Sequence, residues 1–122
     1  MIKIGHRTLA EIALFDLSGR MIGDAGNEFA EAASLQIVDF GFRKLVLNLR
    51  NLEQCDSMGI SVLLRIHRSL ENMGGKMVIC NVNDLISKVF SLIHINEVFH
   101  ISANERDALE EFGVAAPPEE EH

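Results

Sequence analysis

Apolar residues recur along this chain in two rhythms, and the changes of rhythm mark out its elements. "LAEIALFDLSG" (9–19) alternates apolar and polar positions in part and ends in Ser-Gly, the pattern of a strand. The opening "MIKI" reads as a second strand, joined to the first through "GHRT" as a hairpin. In "DAGNEFAEAASLQIVDFG", Ala25, Phe29, Ala32, Ala33, Ile37 and Phe40 return at three- and four-residue steps, one face of a helix that Gly41 stops. "RKLVLNL" (43–49) is almost wholly apolar after its first two residues, as expected of a strand covered on both faces.

A second helical face follows in Ile60, Leu63, Leu64, His67, Leu70 and Met73, closed by Gly74-Gly75. "KMVICNV" (76–82) is another buried strand, and Asn83 and Asp84 are cap candidates for a helix with Leu85, Val89, Leu92 and Ile93 inward. "EVFHI" (97–101) reads as a last strand. Ser102 and Glu105 have capping-box spacing ahead of a helix carrying Leu109 and Phe112 and ended by Gly113. The predicted order is β-β-α-β-α-β-α-β-α. Strands alternating with helices imply right-handed crossovers and parallel pairing. The expected fold is therefore α/β, a mostly parallel four- to five-stranded sheet with about four helices. One domain spans 1–113, and the Pro- and Glu-rich 114–122 is expected to be a disordered acidic tail.

Composition narrows the function more than the fold. Lys and Arg total 11 against 18 Asp and Glu, a net charge of −7 that disfavours nucleic acid and anionic lipid as partners. No apolar run approaches the roughly 20 residues of a bilayer span. The first residues show no signal-peptide pattern, so a cytoplasmic location is expected. Cys55 and Cys80 lack metal-ligand spacing and read as reduced core residues. No phosphate-cradling glycine loop is present, no histidines are paired for a metal, and the expectation is a non-enzyme without cofactor. His67 lies on an inward stripe as a hydrogen-bonded boundary residue. Of the methionines that could line a pliable surface, Met21, Met58, Met73 and Met77, the last two read as core, whereas Met58 falls in a first helical turn and is an interface candidate.

One short step remains. Asp56-Ser57-Met58-Gly59 stands between a strand and the longest helical run. Its serine resembles a nucleophile elbow only in the Ser and the last Gly, in a chain too short for the usual hydrolase. Asp56 or Ser57 can each cap the helix. The same position offers backbone N–H groups, those of Gly59 and Ile60, and the positive end of the helix dipole, which accept a phosphate. Gly59 would also leave room for a kinase to approach.

The stretch "LVLNLRNLEQCDSMGISVLLRIHRSLENMGGKMVICNVNDLISKVFSLIHINEVFHI" resembles the central and C-terminal part of a STAS domain, and most of all the bacterial anti-sigma factor antagonists. The likeness lies in the LVLNL strand, the Asp-Ser-x-Gly step, the long amphipathic helix and the Gly-Gly-Lys-Met-Val-Ile-Cys-Asn run. It covers roughly 9–112 and implies a small STAS-like sandwich. It also implies that Ser57 is phosphorylated by an anti-sigma factor with serine kinase activity, which the unmodified form binds, and that a PP2C-type phosphatase resets the switch. The partner surface so implied comprises Asp56, Ser57, Met58, Gly59, Ile60 and Ser61, with Arg20 and Asp24 from the loop after the early strand. The chain departs from the family in having Met58 in place of a second hydroxyl, and Gly19-Arg20-Met21-Ile22-Gly23-Asp24 in place of a Gly-acid-Leu-Asp step. The resemblance also admits an unphosphorylated accessory or scaffold subunit of a regulatory complex or lipid transporter, and a small-ligand or nucleotide sensor.

Overall fold

Strand pairing follows the chain. The computed structural model describes residues 2–115, and its five strands lie in sequence order in one sheet. They are β1 (Ile2–Leu9), β2 (Ile12–Met21), β3 (Lys44–Cys55), β4 (Lys76–Cys80) and β5 (His100–Ser102). β1 and β2 are antiparallel, and every later pair is parallel. Four helices, α1 (Gly26–Ser34), α2 (Ser57–Asn72), α3 (Asp84–Leu92) and α4 (Glu105–Glu111), complete the expected mostly parallel α/β sandwich.

The two faces of the sheet explain the wholly apolar runs. Ala13, Phe15 and Leu17 of β2, and Leu45, Leu47 and Leu49 of β3, pack beneath α1, α2 and α3 in the larger core. Their alternates Ile12, Leu14 and Val46, with Val78 of β4, meet Ala108 and Leu109 of α4 on the other face. A strand sandwiched this way has no face left for polar residues. Arg7 joins β1, β2 and α4 at the margin, its Nε 3.1 Å from Asp16 and its Nη1 3.2 Å from Glu105.

Several local expectations are corrected. The hairpin turn is Ala10-Glu11, both with positive φ (47° and 70°), and "GHRT" lies within β1. A two-residue loop of this kind matches the twist of the flanking strands, which outweighs the cost of αL backbone at non-glycine residues. The first long helix is divided into a 3₁₀ turn at Gly23–Ala25, α1, and a π-type turn at Leu35–Asp39. That turn, closed by Phe40 N–H donating to Leu35 O at 3.2 Å, adds a residue per turn and carries Phe40 out to solvent. β3 runs on to Cys55 through register shifts opposite Ser18 and Arg20. The last strand begins at His100, after a 3₁₀ turn at Ile95–Glu97. Asn104, not Ser102, caps α4, accepting from Asp107 N–H at 2.9 Å; Ser102 is buried at the end of β5.

The buried arc of α2 is Ile60, Val62, Leu63, Ile66, His67 and Leu70. Leu64 is only half-buried and Met73 is exposed, whereas Met21 is fully buried, against expectation for all three. The arc is turned toward α1, where Val62 and Ile66 find partners that the sheet alone would not supply. His67 is buried as expected, its Nε2 3.1 Å from the Glu71 carboxylate and its ring edge-on to Phe99. In α3 the inward pair is Ile86 and Phe90; Leu85, Leu92 and Ile93 are exposed. From residue 116 on, the expected tail lies outside the described residues; Val114 packs against the smaller core.

Leu63, with no exposed surface, and its half-buried neighbour Leu64 give a direct test of this register. Leu63→Ala should lose about 2–5 kcal/mol in urea unfolding, and Leu64→Ala clearly less. Equal losses would place α2 in a different rotation.

Candidate functional site

Where β3 ends and α2 begins, Asp56 has extended backbone and its carboxylate is shared between two donors. Oδ1 accepts the N–H of Gly59 at 3.0 Å, capping α2, and Oδ2 accepts the N–H of Gly23 at 2.8 Å. Its own N–H donates to Met21 O at 3.3 Å. The cap that the sequence left open between Asp56 and Ser57 is thus Asp56. The Gly23 N–H first, and that of Gly59 second, hold this carboxyl below its ordinary value of 3.8.

Gly59 makes that geometry sterically feasible. A Cβ there would lie 2.5 Å from Met21 O and 2.9 Å from Cys55 Sγ. The residue is buried against the end of β2, so its missing side chain serves packing and not the approach of a kinase. Ile60 is likewise buried, and its N–H is already donated to Asp56 O at 2.9 Å. The two N–H groups expected to be free for a phosphate are both engaged.

Ser57, Met58 and Ser61 face outward from the same end of α2. The Ser57 hydroxyl forms no hydrogen bond to any described residue. Ser61 Oγ, by contrast, donates back to Ser57 O at 2.9 Å. Met58 is 54% exposed, as expected for a first-turn residue. Arg20, paired in register with Gln54, and Asp24, in the 3₁₀ turn, are exposed on the segment that Gly23 ties to Asp56. The structure therefore gathers Ser57, Met58, Ser61 and the Arg20–Asp24 segment around one helix end, with Gly59 and Ile60 as its foundation.

Two features escaped the sequence. Gly23 contributes through its backbone, for which a glycine after an apolar strand is the only signal. A groove of about 220 Å³ opens beside Asp56, lined by Ile22, Cys55, Leu85 and Val89 among others. Leu85, turned outward on α3, forms part of its wall. Burial first, and the Asp56 charge second, push the Cys55 thiol up to about 12, so it stays protonated and unreactive at neutral pH. Among the described residues no cluster suited to a metal ion occurs, and no helix is long and apolar enough to cross a membrane.

The chain belongs to the STAS-domain family, whose model matches residues 4–108. The anti-sigma F factor antagonist of Paenibacillus polymyxa is 27% identical over 101 residues, covering 80% of this chain and 86% of that protein. Among solved structures, an anti-sigma factor antagonist from Mycobacterium paratuberculosis superposes with a TM-score of 0.82 at 17% identity, over 93% of this chain and 96% of that one. The Bacillus cell fate determinant SpoIIAA in its phosphorylated form gives a TM-score of 0.71 at 20% identity, over 90% and 99% of the two chains. These structures share the fold.

Two measurements follow from the Asp56 geometry. Gly59→Ala should cost about 1–3 kcal/mol or more in thermal or urea unfolding, because backbone and not a flexible side chain meets the new methyl. Asp56, with its folded pKa depressed, contributes stability that is complete above 3.8 and is lost as pH falls through the lower folded value. Melting temperatures should drop as pH falls below about 4, and drop less steeply in Asp56→Asn. Parallel curves for the two proteins would show that the shared carboxylate does not couple to folding.

Proposed function

We propose that this chain is an anti-sigma factor antagonist, a protein-binding module that sequesters an anti-sigma factor when Ser57 is unmodified and releases it when Ser57 carries a phosphate. The observation that carries the reading is the position of Ser57. In a STAS domain whose relatives are named as such antagonists, it is the first residue of α2, exposed and free of side-chain bonds, while its neighbour Asp56 does all the capping. A serine needed for structure would be tied down; this one is presented.

The partner is an anti-sigma factor with serine kinase activity, and a PP2C-type phosphatase resets the switch. Its contact surface is centred on Ser57, Met58 and Ser61, with Asp56, Gly59 and Ile60 holding that turn in place and Arg20 and Asp24 flanking it. Met58 supplies exposed apolar area at the centre. Phosphorylation adds about −1.5 to −2 charge beside the Asp56 carboxylate. In the free domain that charge faces water and the positive helix end, so the fold survives. At a closed interface it meets partner surface without water.

Phosphorylated protein should therefore bind its anti-sigma factor about 100- to 1000-fold more weakly by calorimetry, at about 1.4 kcal/mol per tenfold. Ser57→Ala should bind, resist modification by the kinase in intact-mass measurements, and melt close to the unmodified protein, because the cap is Asp56. Equal affinity of modified and unmodified forms would favour an accessory or scaffold subunit instead.

A further inference from the structure

Helices α1 and α2 follow parallel strands and run in the same direction, but they do not close on each other along their whole length. At the start of α1, Gly26 brings them into contact, where a Cβ would lie 3.0 Å from Val62 Cγ2. Further along, a groove of about 230 Å³ opens between them. Its lining along α2 and the C-terminal cap is Arg65, Ser69 and Met73, at i, i+4 and i+8. That row is about 12 Å long at about 1.5 Å per residue. On the facing side Ser34 of α1 gives way to Ile37 and Val38, adjacent residues of the π-type turn that line the groove together. Such turns are frequent at functional sites.

The groove is charged at one end and apolar at the other. Buried Ile37 and Ile66 form its floor, and Val38, 63% exposed, and Met73, 44% exposed, stand at its far end. At the near end Arg65 is the one charged residue among the described residues that line it. Its guanidinium has no hydrogen bond or ion pair with any described residue. Arg68, Glu31 and Asp39 adjoin lining residues in sequence without lining the groove themselves, so Arg65 is the charge an occupant meets.

We propose that the groove between α1 and α2 binds one small amphiphile, a straight-chain carboxylic acid of about ten carbons. The carboxylate meets Arg65, whose planar fork matches it with two parallel hydrogen bonds. The chain lies over Ile37 and Ile66, and its end covers Val38 and Met73. An extended chain advances about 1.2 Å per bond, so about ten bonds span the row. The volume is below the roughly 300–1,000 Å³ of pockets for drug-sized ligands, which excludes a nucleotide. Spread over about 12 Å, it suits a single alkyl chain and not a helix about 10 Å across. The net charge of −7 repels an anionic bilayer, whereas a free acid brings one charge to one cation. This site is separate from the Ser57 surface, since Arg65 lies about two turns further along α2.

The experiment titrates the full chain with sodium decanoate, below the concentration at which it forms micelles, by calorimetry and by amide NMR spectra. The expected result is saturation at one site, with shifts centred on Ser34, Ile37, Ser69 and Met73, and decanol binding at least about tenfold more weakly. Arg65→Gln should weaken decanoate at least about tenfold and leave the melting temperature unchanged, because the side chain is exposed and unpaired. Ser69→Phe, which fills the groove from its open side, should abolish binding of both. Unchanged decanoate affinity in Arg65→Gln, or decanol binding as tightly as decanoate, would overturn the proposal. So would a titration without saturation, or shifts confined to another part of the chain. Flotation with phosphatidylglycerol vesicles that Arg65→Gln abolishes would overturn it in favour of a membrane surface. A ligand-free chain that sediments as a dimer, split by Val38→Glu, would overturn it in favour of a second copy.

Discussion

The geometry of this molecule at its presented serine depends on one carboxylate with two tasks. Asp56 closes the N-terminus of α2 with one oxygen and grips the turn after β2 with the other. Because its own N–H bonds to Met21 O, the end of β2, the end of β3 and the start of α2 meet at a single residue. Neutralising it weakens both carboxylate bonds together, whereas an ordinary cap would lose only a helix end. Gly59 is the complement of this arrangement. The helix can sit so close to the Met21 carbonyl only where no Cβ intervenes.

This arrangement also defines how Ser57 meets a negative charge. The N–H groups of Gly59 and Ile60 are already engaged by Asp56. The helix end therefore offers Ser57 a favourable field without a cradle of free donors, and a fixed carboxylate stands next to it. A phosphate on Ser57, as proposed above, would find the N–H groups of Gly59 and Ile60 already taken and would lie beside that carboxylate.

Much of this was legible in the sequence, and the failures have physical causes. Buried strands announced themselves by unbroken apolar runs, and α2 by its period, because burial on two faces leaves few other ways to write those segments. The presented serine was legible too, though the choice of cap was not, since Asp and Ser are equally good caps until the Gly23 N–H is brought beside one of them. Ala10-Glu11 gave no turn signal, because the strand twist imposed a backbone that neither residue prefers. In α3 a textually perfect stripe, Leu85 to Ile93, was read as inward, but a helix apolar on two sides has two candidate faces and only the sheet decides between them. Gly59 looked like open space for an enzyme and proved to be a contact with a residue from β2, distant in sequence.

The order of the strands has a consequence for how the molecule is made. Each strand pairs with its neighbour in the chain, so no strand has to wait for a distant segment to be inserted beside it. During synthesis the sheet can grow outward from the β1–β2 hairpin one unit at a time, each addition closing a single helix-bearing crossover. The packing of α4 on β2 is different, and the ion pair of Arg7 with Glu105 joins the first strand to that same last helix. It can form only when nearly all of the chain has left the ribosome, so this contact, at the margin and remote from Ser57, is the seal on the finished domain.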